Sequence, residues 1–429
     1  MRFQQFSLTF RRRLRLAGVF GLCCMGSTQD VCAQPISEVN AEVVQQLKKL
    51  HDPSFAVREA ASLRLLEIGE PSLDALRLAE TDPSLEVRER VGRIRSEIDR
   101  LVFEQRAKGF LIGPNPEEDF GLPGWNQFRI LVGSTRSSKL LFLEMIRRQR
   151  DLSLCIDFTS KAIGTPNEQA ALFRLNQTAA DSAQRLRANM MNGGTLPEIG
   201  DTVGLLTACS LLKDQPSIEI NVTIVSAMYR GEVGNYFNKA GYGRCMRALT
   251  GKWMPKTQDV IAGDLLSIGM QKDIPEVVTI ARKHLGKQSD NDIRVAAFQC
   301  LARFGETTDL ALAEQYLDDE TIVRQFEETN SLQPDGISVE DSAPPFGKLP
   351  LPRPPKSNLM AVRVSDLALA ACMEISKEDA SAIFPRYQAS PVLGFAINSI
   401  AFPIDDQVAH NAAIETWLKR HSGRVLKAN

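Results

Sequence analysis

A short motif that occurs twice near the start of the chain restricts the possible folds more than any other feature of the sequence. Residues 52–59 read DPSFAVRE and residues 82–89 read DPSLEVRE, so six of eight positions are identical at a spacing of 30 residues. Self-similarity at a fixed period is typical of stacked structural units. The sequence therefore predicts a repeat architecture in this region.

Each copy of the motif is followed by apolar residues at helical spacing. Asp52 is expected to cap a helix, and Pro53 suits the first helical position because it has no N–H to leave unpaired. Gly69 and Pro71 are expected to end that helix. The apolar stripes are Val57, Ala61, Leu65 and Ile68 in the first copy, and Val87, Val91, Ile94, Ile98 and Leu101 in the second. Short helix pairs bury such stripes only by stacking, which predicts an all-α solenoid.

The motif Asp-Pro-x-x-x-Val-Arg, at 52–58 and 82–88, resembles HEAT-like repeats. A wider resemblance, to exported bacterial HEAT-like repeat proteins of unassigned activity, involves 122–125 (LPGW), 303–305 (RFG) and 366–370 (DLALA). It implies a HEAT-like α-solenoid of short helix pairs with a Pro-rich loop insertion. The 30-residue period is shorter than the roughly 40–47 residues of standard HEAT units, so the helix pairs would be minimal ones.

The same resemblance implies structural roles for a set of charged residues. In HEAT-like repeats the aspartate and arginine of successive units commonly interact as a ladder, and neither residue is catalytic. The matching positions are Asp52, Arg58, Asp82, Arg88, Arg294, Asp318 and Arg324. Arginines at these positions could instead be solvated residues of the first helical turn. Near the C-terminus, Ser365 stands where an arginine is common, which implies a divergent final unit.

The N-terminus has the pattern of a secretory signal. Residues 1–33 contain five arginines, an uncharged run at 16–26 and small residues before a cleavage site after Ala33. A positive segment, a short apolar segment and such a site together indicate a signal peptide. The chain is therefore expected to be exported, to the periplasm or outside the cell. The alternative is an uncleaved signal that holds the protein at the membrane. No later segment is apolar enough to span a bilayer.

Composition and turn residues divide the rest of the chain into five parts. They are an N-terminal HEAT-like repeat pair at 34–108, a linker at 109–124, a central helical region at 125–328, a Pro-rich loop at 329–358 and a C-terminal helical cap at 359–429. The loop contains seven prolines and no periodicity, so a packed element is not expected there. Ser217–Val225 alternates like a strand, but a buried helix rich in β-branched residues is favoured. C-terminal helices are expected near 360–384 and 406–421.

Residue patterns that carry chemistry are not found. The four histidines stand alone, no C-x-x-C pair occurs, and the five cysteines beyond the signal have mostly apolar neighbours, so metal ligands and a disulfide scaffold are not indicated. Neither a phosphate-binding loop nor a nucleophile elbow is present. A formal net charge of −1 argues against a dedicated nucleic-acid binder. We therefore predict no catalytic residue, no metal ligand and no cofactor.

These observations favour a non-enzymatic, exported repeat scaffold that binds a protein partner of unknown identity and no nucleic acid. One alternative is a cell-envelope enzyme with a site near 230–253, where glycines gather around Tyr236, Tyr242 and Arg244. The other is a cell-wall glycan-binding module that uses exposed aromatic residues. Only 7% of the residues are aromatic, which makes the glycan-binding module the weaker of the two.

Overall fold

The computed structural model describes residues 36–192, 194, 196–286, 289–327 and 359–425. The described part is mostly helical, with eighteen α-helices and a small antiparallel sheet. The chain divides into two compact units, the first ending at Val102 and the second beginning at Phe103. The signal expected at 1–33, with its cleavage site at Ala33, and the Pro-rich loop expected at 329–358 lie outside the described residues.

The first unit contains the two copies of the repeat. Its helices are α1 (Ile36–Lys49), α2 (Phe55–Ile68), α3 (Leu73–Ala79) and the start of α4 (Leu85–Ile112). Most of the two predicted stripes lies in the core of this unit, but Val57 is only half-buried and Leu101 is exposed. That core consists of Val43, Leu50, Ala61, Leu65, Leu76, Val87, Val91, Ile94 and Ile98.

The start of each repeat helix differs from the sequence prediction. α2 begins at Phe55 with Ser54 as its N-cap residue, so neither Asp52 nor Pro53 has the expected role. The Asp52 carboxylate instead accepts a hydrogen bond from the Ser54 N–H at 2.8 Å, and Asp82 accepts one from the Ser84 N–H at 2.9 Å. An aspartate that bonds the backbone two residues ahead forms a turn of its own. The motif therefore folds as a turn that leads into the helix.

The second unit begins within α4, which extends to Ile112 and therefore past the expected end near Lys108. Further helices follow along the chain. They are α5 (Trp125–Val132), α6 (Arg136–Arg148), α7 (Arg150–Ala162), α8 (Glu168–Met191), α9 (Ile199–Leu211), α10 (Ile218–Tyr229), α11 (Gly231–Tyr236), α12 (Tyr242–Trp253), α13 (Ala262–Lys272), α14 (Val278–Leu285), α15 (Asn291–Phe304), α16 (Leu310–Glu314), α17 (Val364–Ser376) and α18 (Gln407–Val425).

The stretch that alternates like a strand is helical, as favoured. Ser217–Val225 lies at the start of α10, where Ile220 and Ile224 are fully buried. Asn221 is buried beside them and accepts a hydrogen bond from the Trp253 indole N–H at 2.8 Å. Because this helix is covered on more than one side, its apolar residues do not follow the spacing of an amphipathic surface helix.

The all-α prediction needs a correction, since a small sheet completes the second unit. Strands β1 (Ile322–Glu327), β2 (Leu359–Arg363) and β5 (Phe402–Pro403) pair antiparallel in the order β1-β2-β5. A separate hairpin joins β3 (Ala389–Ser390) to β4 (Gly394–Phe395). The helix expected from residue 360 therefore begins only at Val364. A short apolar run such as 359–362 fits a buried strand and a buried helix equally well.

Two helices of the second unit approach each other closely at a glycine. A Cβ atom on Gly200, at the start of α9, would lie 2.2 Å from the carbonyl oxygen of Glu144 in α6. That contact is far shorter than van der Waals distance, so only glycine fits at this position.

In the same unit, Phe110 and Trp125 pack edge to face with ring centroids 4.8 Å apart. Within the described residues, no helix is both long and apolar enough to cross a membrane.

Candidate functional site

The repeat positions in the first unit make contacts within their own repeat. The Arg58 guanidinium donates to the backbone carbonyls of Asp52 at 2.7 Å and Pro53 at 3.0 Å. Arg88 donates in the same way to the carbonyls of Asp82, at 2.6 Å, and Pro83. Each arginine therefore closes the turn of its own repeat. Among the described residues, neither Asp52 nor Asp82 forms an ion pair with an arginine.

In the described part of the chain, contacts between the two repeats do not pair the repeat aspartates with arginine, as the implied ladder would. Arg58 lies 3.0 Å from the Glu86 carboxylate of the following repeat, and Arg90 lies 3.0 Å from Glu59 of the preceding one. His51 Nε2 lies 3.1 Å from the Asp82 carboxylate. Each pair includes an exposed partner, so their contribution to stability is modest. They nevertheless fix the register in which the second repeat follows the first.

The downstream repeat positions do not continue the pattern. Arg294, on α15, pairs with Asp319 and not with the implied Asp318. Arg324 lies in strand β1, whereas the repeat would place it in the first turn of a helix. Because a strand exposes alternate side chains to opposite faces, Arg324 cannot occupy the equivalent of Arg58. The ladder implied by the resemblance is therefore wrong at this end of the chain.

The first unit has an open groove over α1 and α2, with a volume of about 620 Å³. Its floor consists of small apolar side chains of α2, and its rim is polar. Ala56 and Ala60 are exposed on the floor, and Ala61 is buried beneath them. Arg64, on the rim, is already paired with Glu42 at 2.6 Å and Glu67 at 3.0 Å. The remaining lining residues are Gln46, Lys49 and Val57. A partner would therefore meet a surface of small apolar residues.

A second groove lies in the C-terminal part of the second unit, with a volume of about 490 Å³. One wall is a face of α18 that presents Ala409, Ala412 and Ala413. Phe402 and Pro403, from strand β5, form part of the opposite wall. Like the first groove, this one has mainly small or apolar lining side chains.

Three side chains near that groove are of the types found in hydrolytic triads. Ser365 Oγ lies 3.0 Å from His410 Nε2, and the Asp366 carboxylate lies 3.1 Å from the same nitrogen. In a working triad the serine and the carboxylate contact opposite ring nitrogens. None of the three residues is more than 1% exposed. Burial raises the pKa of the Asp366 carboxyl, and the contact with His410 opposes that change. This cluster therefore ties α17 to α18, and its serine is not arranged as a nucleophile.

A second serine–histidine contact, on α14, also has a structural explanation. His284 Nδ1 lies 3.1 Å from Ser289 Oγ, and that hydroxyl donates to the His284 carbonyl at 3.0 Å. Because the Ser289 hydroxyl donates its proton to the His284 carbonyl, its oxygen accepts a hydrogen bond from His284 Nδ1–H. His284 Nε2 faces the Asp259 carboxylate at 3.6 Å. Ser289 thus closes the end of α14.

The aromatic residues proposed for an envelope enzyme pack together at the surface of the second unit. The Tyr236 and Tyr242 rings meet edge to face at 5.4 Å, and Lys239 Nζ lies 3.7 Å from the centre of the Tyr236 ring. Burial raises the pKa of the Tyr242 hydroxyl. The nearby Glu144 carboxylate and Cys245 thiol add to this effect on the pKa of the Tyr242 hydroxyl. Arg244 is exposed.

All three tryptophans of the chain are fully buried, at 125, 253 and 417. None of them is therefore available to stack on a sugar ring. The five cysteines beyond the expected signal are buried and free; the apolar neighbours of Cys155, Cys209, Cys300 and Cys372 predicted this burial, whereas those of Cys245 did not. Burial raises the pKa of the Cys209 thiol and of the Cys300 thiol to about 12. In the part of the chain that the structure describes, no three metal-ligating side chains gather at one point.

No protein-family model, curated protein or solved structure matches the chain. The resemblance to HEAT-like repeat proteins therefore depends on the sequence motifs alone. The groove over α1 and α2 was not predicted, although a signal existed. Ala56 and Ala60 are four residues apart and lie outside the Val57–Leu65 stripe, which indicates a second face made of small residues.

Proposed function

We propose that the chain is an exported, non-enzymatic scaffold of short HEAT-like repeats that binds another protein. The observation that carries this proposal is the groove over α1 and α2. It is large and open, it is lined by small apolar side chains, and among its described lining residues there is no carboxylate, histidine or thiol. A surface of this kind suits contact with another chain better than acid–base chemistry.

Contacts between the repeats support a stacked arrangement. The pairs Arg58–Glu86 and Arg90–Glu59 connect α2 to α4 in one register. The first residue of each helix is also a large apolar side chain that stays in solvent, with Phe55 63% exposed and Leu85 62% exposed. Arg90 covers part of the Phe55 ring at 5.2 Å. These exposed apolar residues recur at the repeat period, and stacked repeats present such recurring side chains along one binding surface.

The partner that fits best is an amphipathic helix of another protein. Alanines four residues apart, such as Ala56 and Ala60, line up along one face of α2. Small side chains there allow an incoming helix to lie close to α2, with its own apolar residues over the groove. Because Arg64 is neutralised by Glu42 and Glu67, we expect apolar contact to supply most of the affinity.

Site-directed crosslinking tests this function. We expect benzoyl-phenylalanine in place of Ala60 to give one dominant adduct in the cell envelope. The same group in place of Asp74, whose side chain on α3 is almost fully exposed, is the matched control and should give none. Ala56→Glu should abolish the Ala60 adduct, because it places a charge on the apolar floor. Equal adducts from both positions, or an Ala60 adduct that survives Ala56→Glu, would show that the groove does not bind a partner.

A further inference from the structure

A small pocket in the second unit brings together two cations that form no ion pair within the described residues. It has a volume of about 140 Å³ and lies where α10 ends, α11 begins and α13 ends. Arg230, Asn235 and Lys272 are among its lining residues. Within the described residues, neither Arg230 nor Lys272 forms an ion pair. Two unpaired cations that face one concave space are a favourable environment for an anion.

The acidic residues around this pocket are engaged or face elsewhere. Asp264 accepts a hydrogen bond from the Tyr229 hydroxyl at 3.1 Å, and Asp273 pairs with Arg303 at 2.8 Å. Glu232 is exposed and does not line the pocket. The charge that faces the pocket is therefore positive on balance.

Gly234 leaves open space beside the Lys272 ammonium. A Cβ on Gly234 would lie 3.6 Å from Lys272 Nζ and 3.1 Å from the carbonyl oxygen of Met228. A larger side chain at this position would fill the space beside the ammonium group. Lys272 Nζ also lies 5.7 Å from the centre of the Phe237 ring, within reach of a cation–π contact. Lys272 is half-buried at the pocket, whereas most lysines extend into solvent.

We propose that this pocket binds a tetrahedral oxyanion, a phosphate group. The guanidinium of Arg230 offers a planar fork of N–H donors, and Lys272 offers a compact point charge. The Asn235 amide makes no side-chain hydrogen bond within the described residues, and it can donate a further one. Together these groups supply charge and several donors of different geometry, which is what phosphate recognition requires. The site uses different residues from Tyr236, Tyr242 and Arg244, and it is independent of the groove over α1 and α2.

Calorimetric titration of the whole protein with inorganic phosphate, at constant ionic strength, tests the assignment. The wild type should bind one phosphate saturably. Arg230→Gln and Lys272→Gln should each weaken binding by about tenfold or more, because each removes a charged donor. Arg244→Gln and Lys252→Gln are matched controls, since both residues are exposed cations of the same unit that do not line the pocket. They should change the affinity less than about twofold.

Several outcomes would overturn the proposal. They are the absence of saturable binding by the wild type, equal losses in the pocket and control variants, and acetate binding as tight as that of phosphate. The last result would assign the pocket to carboxylates. Thermal unfolding without phosphate should be unchanged in Arg230→Gln, because Arg230 has no ion-pair partner to lose within the described residues. If a pocket variant is so destabilised that unfolding explains its weaker phosphate binding, that result would also count against the site.

Discussion

Replacement of Gly200 by alanine should destabilise the second unit strongly, although alanine favours helices. Gly200 is the second residue of α9, and the substitution gains about 0.5–1 kcal/mol of helix propensity. The new Cβ would lie 2.2 Å from the Glu144 carbonyl oxygen and 2.6 Å from its carbon, where ordinary contact begins near 3.4 Å. Helices α6 and α9 must therefore separate by about 1 Å. Overpacking of this kind costs about 1–3 kcal/mol, and contact with rigid backbone places this case at the upper end, near 2–3 kcal/mol.

Gly263→Ala is a matched control for this prediction. Gly263 is the second residue of α13, and a Cβ there would meet only an Ile293 side-chain carbon at 4.0 Å. We expect this variant to be more stable than the wild type by about 0.5–1 kcal/mol. The two substitutions have the same chemistry and the same place in a helix, so opposite signs would isolate the effect of the close helix contact.

Urea unfolding followed by tryptophan fluorescence is the appropriate assay. The three tryptophans, at 125, 253 and 417, all belong to the second unit and are buried there, so the signal reports that unit. The midpoint should fall for Gly200→Ala and rise for Gly263→Ala, with unchanged slopes. A Gly200→Ala midpoint equal to or above that of the wild type would refute the argument from the α6–α9 contact.

Three further predictions concern the second unit. Lys256→Met should lower stability by about 1–3 kcal/mol in thermal unfolding, because Lys256 Nζ donates to three carbonyls at the end of α9, at 2.7–3.4 Å; an unchanged midpoint would contradict this role. Burial raises the pKa of the Asp309 carboxyl, but hydrogen bonds from Arg282 and a backbone N–H outweigh burial and hold that pKa below its ordinary value. The carboxylate therefore contributes stability above that ordinary value and loses it as the pH falls through the lowered pKa, so Asp309→Asn should have a flatter acid limb in pH-dependent unfolding; a limb as steep as that of the wild type would contradict this. The Cys209 and Cys300 thiols should react with a thiol reagent only upon unfolding, because both are buried; rapid labelling of the native protein would disprove it.

Local regularities of the first unit could be predicted from the sequence. Ala61 and Leu65 of the first stripe and Val87–Ile98 of the second lie in its core, because one helix face at fixed spacing determines what is buried. The helix start was placed too early. Aspartate is favoured both as a helix N-cap residue and in turns, so the residue type of Asp52 does not distinguish the two roles. In the structure the Ser54 N–H donates to the Asp52 carboxylate, so Asp52 acts as a turn residue. The sequence pattern does not show this hydrogen bond.

Contacts over long distances in sequence could not be predicted in the same way. The sheet pairs Gln325 with Ala361 and Ala361 with Phe402, and a single sequence contains no record of such partners. The pocket with Arg230 and Lys272 depends on the same kind of information, because its residues come from helices that are far apart along the chain. Arg230 and Lys272 each resemble ordinary surface cations until the fold brings them together.

The small sheet has a consequence for the order in which the chain can fold. It pairs Glu327 with Leu359 and Ala361 with Phe402. These partners are far apart along the chain, so bringing them together costs entropy that local helices do not incur. The contacts of the first unit all lie within about one hundred residues, and they can form while synthesis continues. The sheet can be completed only after residue 403 has been made. A chain that stops before Phe402 would leave the buried strand β2 with one open edge, and an uncovered edge is a site of misassociation with other chains.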